Sequence, residues 1–228
     1  MNINLKTLCL TFIWLSSTSY ISKAQEALNN SYTELNSGIS LDDPLLKTTV
    51  DPTNFNFELI NAALFHLSNR ERTKKGKKPL LYYNDLEKAA KIHSTEMAKH
   101  HFFDHINPKN KKYKTPADRI FIFNSDYRTV GENIVANNLI KYTGETLEYT
   151  ISKRNGTTVY LNSEGKELEY TNYIDLALKL TSQWMNSVPH KKNILNSDYK
   201  LVGYYCVLEK TDLFTKIKCT QNFGSLHE

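Results

Sequence analysis

Residues 93–108, HSTEMAKHHFFDHINP, close a long amphipathic segment with two aromatic residues, an acid and a histidine. The segment places a set of side chains at the spacing of one helix face: Leu86, Ala89, Ala90, His93, Met97 and His101. Pro108 prevents the helix from continuing, and Phe102 and Phe103 add bulk that favours burial at its end. We therefore expect His105 to be held in a fixed position, either as a packed polar residue or as a group available for chemistry.

Three further helices are predicted from apolar residues at helical spacing. The first begins at Asn54 and ends near Gly76, because glycine suits the left-handed conformation at a helix C-terminus. Asn84 with Glu87 three residues later resembles a capping box, which marks the start of the helix that runs to residue 101. The remaining two helices are predicted over about 116–123 and 173–186.

The second half of the chain contains the strand signals. Apolar residues alternate with polar ones at Leu147, Tyr149, Ile151, Val159 and Leu161. Asn155-Gly156 between these runs favours a type I′ hairpin turn. GYYCVLE (203–209) and FTKIKCT (214–220) are predicted to form two more antiparallel strands around a turn near Asp212-Leu213. Helices followed by antiparallel strands predict an α+β fold with helices packed on a sheet.

Three cysteines are present, at positions 9, 206 and 219. In the register set by a turn near residues 212–213, Cys206 lies directly opposite Cys219. Such partners have Cβ atoms about 4.5–5.5 Å apart, within adjustment range of a disulfide. An even number of cysteines beyond the N-terminal segment, in an exported chain, indicates the same pairing. We therefore predict a Cys206–Cys219 disulfide.

Residues 1–24 resemble a secretory signal peptide. Lys6 supplies a positive charge, residues 8–15 form a short apolar core, and Ser22-Lys23-Ala24 places small residues at the −3 and −1 positions of a cleavage site. The apolar core is too short to span a membrane, and we predict no transmembrane segment. We expect a secreted or periplasmic protein with a flexible polar arm over residues 25–53 and one domain over residues 54–228.

The charge balance gives little sign of a nucleic-acid partner. The chain has 29 Lys and Arg against 24 Asp and Glu, a net charge of +5, and loss of residues 1–24 removes two lysines and no acid. Nucleic-acid-binding domains normally carry a strong basic stripe. We therefore expect no nucleic-acid ligand.

Three polar stretches bracketed by apolar sequence are candidates for a functional site: Asp104-His105, Gly131-Glu132-Asn133 and Pro189-His190. Two neutral imidazoles and a carboxylate can bind Zn²⁺ or take part in acid–base chemistry. The two histidines are 85 positions apart, and no short ligand motif such as HExxH is present. Spacing therefore leaves open a second interpretation, in which these groups form a buried polar network that stabilises the fold.

The ordered segments HSTEMAKHHFFDH, GENIV, QWMNSVPHKKNILNSDYKLVG and QNFG resemble the CAP superfamily. This superfamily includes the cysteine-rich secretory proteins, antigen 5 and the plant pathogenesis-related proteins. The resemblance, to a divergent bacterial-type member, covers about residues 55–224 apart from an insertion at about 139–172. It implies a three-layer α-β-α sandwich with an inserted β-hairpin and a cleft that collects two histidines and acidic residues.

The same resemblance implies roles for particular residues. His105 and His190 match the two cleft histidines and are the candidate metal ligands, with zinc as the candidate cofactor. Glu132 matches the acid of the Gly-Glu-Asn motif and is the candidate catalytic residue. Asn133 and Gln221 are candidate ligand-binding residues, although Gln221 in the last strand can equally serve to satisfy the sheet.

One departure from the family pattern bears on function. Eukaryotic members carry a second glutamate three residues after the tryptophan that Trp184 matches, and this chain has Ser187 there. The sequence therefore favours a binding module for a lipid, a cell-envelope component or a partner protein. The alternative is a metal-dependent hydrolase that uses His105, His190 and Glu132, and the sequence does not decide whether the protein is an enzyme. The inserted hairpin is either a wall, cover or partner-binding edge of the cleft, or a solvent-exposed decoration.

Overall fold

A layer of helices lies on each face of one mixed β-sheet. The computed structural model describes residues 39–141, 148–154, 157–211 and 215–227. The predicted signal peptide, the Asn155-Gly156 turn and the turn at residues 212–213 lie outside the described residues. The predicted α+β fold, a three-layer α-β-α sandwich, is confirmed.

Five α-helices lie in the described residues: α1 (Phe57–Lys74), α2 (Asn84–Lys99), α3 (Pro116–Phe121), α4 (Tyr173–Asn186) and α5 (Val188–Leu195). Short 3-10 turns precede α1 (Pro44–Lys47) and α3 (Lys111–Tyr113). Helices α1, α4 and α5 pack on one face of the sheet, and α2 and α3 pack on the other. Within the described ranges, no helix has the length and apolar character needed to cross a membrane.

In the described part of the chain, six strands form two sheets: β1 (Leu81–Tyr82), β2 (Tyr127–Asn138), β3 (Thr150–Arg154), β4 (Thr157–Leu161), β5 (Leu201–Lys210) and β6 (Thr215–Leu226). The central sheet has the order β1-β5-β6-β2, and β3 pairs with β4 as the predicted hairpin. Strand β1 is parallel to β5 and pairs with it over only two residues. Strand β2 is therefore one edge of the sheet, and most of β5 is the other.

The pairing of β5 with β6 follows the predicted register. Cys206 lies opposite Cys219, and the predicted disulfide is formed. Alternate residues of a strand face opposite sides of a sheet, so Val202, Tyr204 and Cys206 belong to the core under α1 and α4. Leu201 belongs to the smaller core under α2. Both helix layers are thus fixed to the same two strands.

The first helix ends as predicted but starts slightly later. The side-chain oxygen of Asn56 accepts hydrogen bonds from the N–H groups of Glu58 and Leu59, which places the start of α1 at Phe57. Gly76 has a φ of 66°, the left-handed conformation expected just beyond a helix end. The start of α1 is therefore set by the Asn56 side chain, which pairs with free N–H groups of the first helical turn.

The predicted capping box at the start of α2 is wrong. Asn84 is the first residue of the helix, and Tyr83 occupies the cap position without a side-chain hydrogen bond. The buried face of α2 is as predicted from Leu86 to Met97. His101 lies beyond the helix with a φ of 53° and is exposed, so it does not belong to the buried face.

The domain begins earlier than the boundary predicted at residue 54. Leu46 and Val50, which lie within the predicted polar arm, are 0% and 1% exposed and belong to the main core. Thr49 forms an isolated bridge with Asn172, just before α4. Residues 39–53 are therefore packed, and the remainder of the predicted arm lies outside the described residues.

The inserted hairpin packs at one end of the sheet. Val159 and Tyr160 are buried, and the Tyr160 hydroxyl accepts a hydrogen bond from the backbone N–H of Thr215 at 2.9 Å. Lys216, the residue after Thr215, pairs with Asn138 at the end of β2. Glu132 lies six residues before Asn138 in β2, and the two residues are therefore about 20 Å apart at strand spacing. This contact therefore fixes the hairpin well away from the Gly-Glu-Asn motif.

Candidate functional site

The Gly-Glu-Asn motif lies in the middle of the edge strand β2. Because side chains alternate along a strand, Glu132 points towards α3, where it meets Arg119, and Asn133 points towards α5, where it meets Asn193. Both motif residues are buried. The motif thus presents a carboxylate to one helix layer and an amide to the other.

The Glu132 carboxylate is occupied on both oxygens by protein donors. Arg119 Nη2 donates to Oε1 at 3.0 Å and to Oε2 at 2.8 Å, and His105 Nδ1 lies 2.9 Å from Oε1. His93 Nε2 lies 3.6 Å from Oε1. Arg119 has 0% exposed surface and Glu132 has 5%. The cleft is therefore built around a buried ion pair.

The charges around Glu132 keep it ionised. Burial raises the pKa of this carboxyl, but the hydrogen bond from His105, the charges of His93 and Arg119, and the Arg119 hydrogen bond more than offset that effect. The net result is a lowered pKa. A carboxylate with a low pKa and occupied oxygens is a poor proton acceptor at neutral pH, so the geometry disfavours Glu132 as a general base.

Local hydrogen bonds hold His105 in place. Asp104 Oδ1 accepts from the backbone N–H of Ile106 at 2.7 Å, and the Asp104 carbonyl accepts from His93 Nε2 at 2.9 Å. Arg119 Nη2 also donates to the carbonyl of His105 at 3.0 Å. The aromatic anchoring predicted from the sequence is only partly present, because Phe103 is 51% exposed.

The two cleft histidines come together from opposite helix layers. His105 follows α2, His190 lies on α5, and their ring centroids are 6.4 Å apart. Because His105 Nδ1 faces an ionised carboxylate, Nδ1 carries the proton of that hydrogen bond. Burial, with a smaller effect of the neighbouring His105, lowers the pKa of His190. The lowered pKa favours the neutral form of the His190 imidazole at neutral pH.

The predicted ligand-binding amides lie in the interior and have protein partners. Asn133 Nδ2 donates to Gln221 Oε1 at 3.0 Å and to the carbonyl of His190 at 3.2 Å. Asn193 Nδ2 donates to Asn133 Oδ1 at 2.9 Å, and Gln221 Nε2 donates to the Tyr204 hydroxyl at 2.7 Å. This network joins β2, β6 and α5, so it positions His190.

Arg119 is the functional residue that the sequence analysis does not identify. A single arginine on a short helix is normally exposed, and no periodic pattern marks this one as buried. The available signal is indirect: a buried glutamate requires a counter-charge or hydrogen-bond donors. His93, expected to be a core residue, is fully buried as expected, and it also contacts Glu132.

His101 belongs to a separate cluster. Its Nδ1 lies 2.8 Å from Glu209 Oε1, and the same oxygen accepts from Lys218 Nζ at 2.9 Å. Lys218 also donates to the carbonyls of Met97 and Phe102, which fixes the end of α2 to the sheet. His101 therefore caps a buried ion pair and stands apart from the cleft.

The candidate metal ligands are the two cleft imidazoles. Across the described residues, no group of three or more His, Cys, Asp or Glu side chains has the arrangement needed to hold a metal ion. Ser187, at the position of the second family carboxylate, forms the junction between α4 and α5. The carboxylate that contacts His105 is Glu132, which is held by Arg119.

A three-layer sandwich with one histidine on each side of an edge-strand Gly-Glu-Asn motif defines the CAP class of domains. The sequence model of the cysteine-rich secretory protein family (CAP) matches residues 65–223. This match covers well over half of the chain, and the protein therefore belongs to the CAP family.

Individual proteins are similar to this chain in sequence or in structure. The Uncharacterized protein YkwD of Bacillus subtilis is 30% identical over 137 residues, which is 60% of this chain and 38% of the relative. An outer surface protein of Borrelia burgdorferi has a similar structure, with a TM-score of 0.50 and 18% identity over 79% of this chain and 99% of that one. An extracellular SCP-domain protein of Bacillus anthracis has a TM-score of 0.47 and 21% identity over 75% of this chain and 41% of that one. At these identities the structural likeness shows the fold alone, and this chain spans well under half of YkwD.

Proposed function

We propose that this protein is an exported binding module whose cleft holds a lipid of the cell envelope. The observation that carries the proposal is the pairing of both Glu132 oxygens with Arg119 and His105. This pairing leaves the imidazoles of His105 and His190 as the polar groups open to a ligand. Those imidazoles can hydrogen-bond a headgroup, whereas Glu132 is poorly placed for proton transfer.

Apolar side chains beside the two histidines favour a lipid over a purely polar ligand. Ile106, next to His105 in the chain, is 42% exposed, and Val188, two residues before His190, is 82% exposed. Exposed apolar residues close to a polar site commonly mark a binding surface. A lipid would place its chain on these residues and its headgroup between the imidazoles.

Two features support export. The Cys206–Cys219 disulfide is typical of proteins in oxidising compartments. The predicted signal peptide at residues 1–24 would direct the chain there. An envelope ligand would be accessible to a protein in that compartment.

A metal-dependent hydrolase is the second candidate, and the tautomer of His105 favours it. A histidine that donates Nδ1–H to a carboxylate is oriented for metal binding through Nε2. His105 and His190 would hold the zinc ion, and Glu132 would orient His105. Bound zinc can polarise a carbonyl group or lower the pKa of a water molecule. The hydrolase still requires a proton acceptor, and Glu132 is occupied.

Co-sedimentation with vesicles of phosphatidylethanolamine and phosphatidylglycerol tests the proposal, with ester hydrolysis measured in the same samples. We expect the wild type to sediment with the vesicles without turnover. The His105→Ala/His190→Ala and Val188→Ser variants should bind at least tenfold more weakly, a loss of about 1.4 kcal/mol. Leu178→Ser, which removes an exposed apolar residue on α4, is the matched control and should bind normally.

Two results would overturn the binding module. One is vesicle binding that is unchanged when both histidines are replaced. The other is ester turnover by the wild type that disappears in Glu132→Gln, because that variant keeps the size of the side chain and removes its charge. Turnover of this kind would establish the hydrolase instead.

A further inference from the structure

A second cavity lies at the sheet edge opposite the cleft. It has a volume of about 670 Å³ and is lined by Tyr205 of β5, Glu87 in the first turn of α2, and residues around the start of α1. It opens where β1 stops pairing with β5, after Val202. We call it the edge pocket. It shares no lining residue with the His105–His190 site, so a ligand bound in it is independent of the proposed function.

Two acceptor oxygens of the edge pocket have no hydrogen-bond partner within the described residues: Oδ1 of Asn61 and Oε2 of Glu87. Asn61 is 6% exposed, so water does not readily satisfy its side chain. A buried polar atom without a partner is costly, and native proteins seldom retain one without a reason. Because both atoms accept hydrogen bonds, the ligand that satisfies them must donate.

The charged side chains that line the edge pocket, Glu58 and Glu87, are both acidic. Burial raises the pKa of Glu87, and the nearby Glu58 adds to that effect, while Tyr82, Lys91 and Lys88 oppose it. A cation bound beside Glu87 would stabilise its ionised form. An anion would instead meet both glutamates, and a neutral apolar ligand would leave the two oxygens unpaired.

Aromatic rings form the rest of the wall. Phe57 stacks on Tyr205 with ring centroids 6.3 Å apart and planes 6° apart, and Phe55 lies 5.0 Å from Phe57. Ring faces attract ammonium groups, and Lys91 Nζ already lies 5.3 Å from the centroid of the Tyr205 ring. The side of the pocket formed by Phe55 and Phe57 can accept an apolar tail.

We propose that the edge pocket binds a primary ammonium ion that carries a short apolar or aromatic tail. The ammonium group donates to Asn61 Oδ1 and Glu87 Oε2, and the tail packs on Phe55 and Phe57. An ammonium ion has three N–H donors, enough for the two unpartnered acceptors of the pocket. The ligand class follows from this combination of acceptors, acidic residues and rings.

An NMR titration of the full chain with phenethylammonium tests the proposal. We expect saturable shifts at the Asn61 side-chain amide and the Tyr205 backbone amide at millimolar ligand. Glu87→Gln keeps the shape and removes the charge, and it should weaken binding at least tenfold. Glu58 is exposed and lies at the mouth of the pocket, so Glu58→Gln should not disturb the fold. This variant should weaken binding about threefold. 2-Phenylethanol and 3-phenylpropionate have the same tail without the ammonium group and should not bind.

Three outcomes would overturn the ammonium site. The first is the absence of saturable shifts with phenethylammonium. The second is equal binding of 2-phenylethanol, which would show an apolar cavity without selectivity for charge. The third is unchanged affinity in both Glu87→Gln and Glu58→Gln, which would place the ligand elsewhere.

Discussion

Arg119 and Glu132 are the pair of residues on which the chemistry of the cleft depends. Arg119 bonds both carboxylate oxygens and also donates to the carbonyls of His105, Tyr113 and Lys114. One guanidinium group therefore holds the backbone just before α3, the backbone at His105 and the Glu132 carboxylate of β2. The cleft acid is thus part of the structural framework of the domain.

Replacing Glu132 by alanine should destabilise the fold. The change leaves the buried Arg119 guanidinium without its counter-charge, for which we expect a loss of about 3–5 kcal/mol in the free energy of unfolding. Glu132→Gln retains an acceptor oxygen and should lose less. Urea unfolding of the two variants gives the comparison. A loss below about 1 kcal/mol for Glu132→Ala would contradict the buried pair.

His93 should make the stability of the fold depend on pH. Burial lowers its pKa to about 4, whereas the unfolded residue titrates near about 6.5. The unfolded chain therefore takes up a proton first, and stability falls as the pH falls from about 6.5 towards 4, by up to a few kcal/mol. His93→Gln does not titrate and can still donate to the Asp104 carbonyl. The loss of stability between pH 7 and pH 5 should be smaller in this variant, and an equal loss would contradict the assignment.

The sequence could predict the ends of this network but not its centre. Glu132 is identified by the Gly-Glu-Asn motif. His105 is identified by its place between the end of α2 and Pro108. Arg119 carries no local signal, because its burial depends on a strand that follows it in the chain. Charge pairing across elements is set by tertiary packing, which periodicity does not record.

At the scale of elements, the β5–β6 pair supports both helix layers. Its disulfide joins directly opposed residues that are fully buried. Cys206→Ser/Cys219→Ser should lower the free energy of unfolding by about 3 kcal/mol, as expected for a loop of this length. Reduction of the wild type should produce a similar loss in urea unfolding. Equal stability of oxidised and reduced protein would show that strand pairing alone fixes the register.

Gly203 permits the close approach of β5 to α2. A Cβ atom there would overlap the backbone N of Glu87 and the backbone carbonyl carbon of Leu86. Gly203→Ala should therefore cost about 1–3 kcal/mol or more, because backbone atoms cannot move aside easily. Gly224→Ala is the control, since its Cβ would meet the Tyr127 ring, a side chain that can shift. If thermal unfolding shows equal losses for both, close packing at Gly203 is not the constraint.

Elements with a strong local pattern are the ones that the sequence predicts well. The hairpin strands, the cysteine register and α4, which spans Tyr173–Asn186 as predicted, all follow from alternation or helical spacing. The packing of Leu46 and Val50 does not, because these residues lie in a polar segment without a period. Their burial depends on α1 and α4, which they contact only in the folded domain.

At the scale of the whole molecule, the two sheet edges have different chemistry. The β2 edge carries the imidazoles of His105 and His190, and the β5 edge carries the edge pocket with its acidic and aromatic walls. The inserted hairpin contacts Thr215 near the Asn138 end of β2, and this contact lies away from the Gly-Glu-Asn motif. The fold can therefore present two independent binding sites.

Both candidate functions require His105 and His190 to act on one ligand, with Glu132 as the residue that orients His105. Calorimetric titration with Zn²⁺ at neutral pH, on the wild type and on three single variants, tests this directly. We expect one-to-one binding that is lost in His105→Ala and in His190→Ala. Glu132→Gln should weaken binding by about tenfold to a hundredfold, as for other carboxylates that orient a metal-bound histidine. No zinc binding by the wild type would contradict the metal-dependent hydrolase, and zinc binding that survives the loss of either histidine would contradict a shared site.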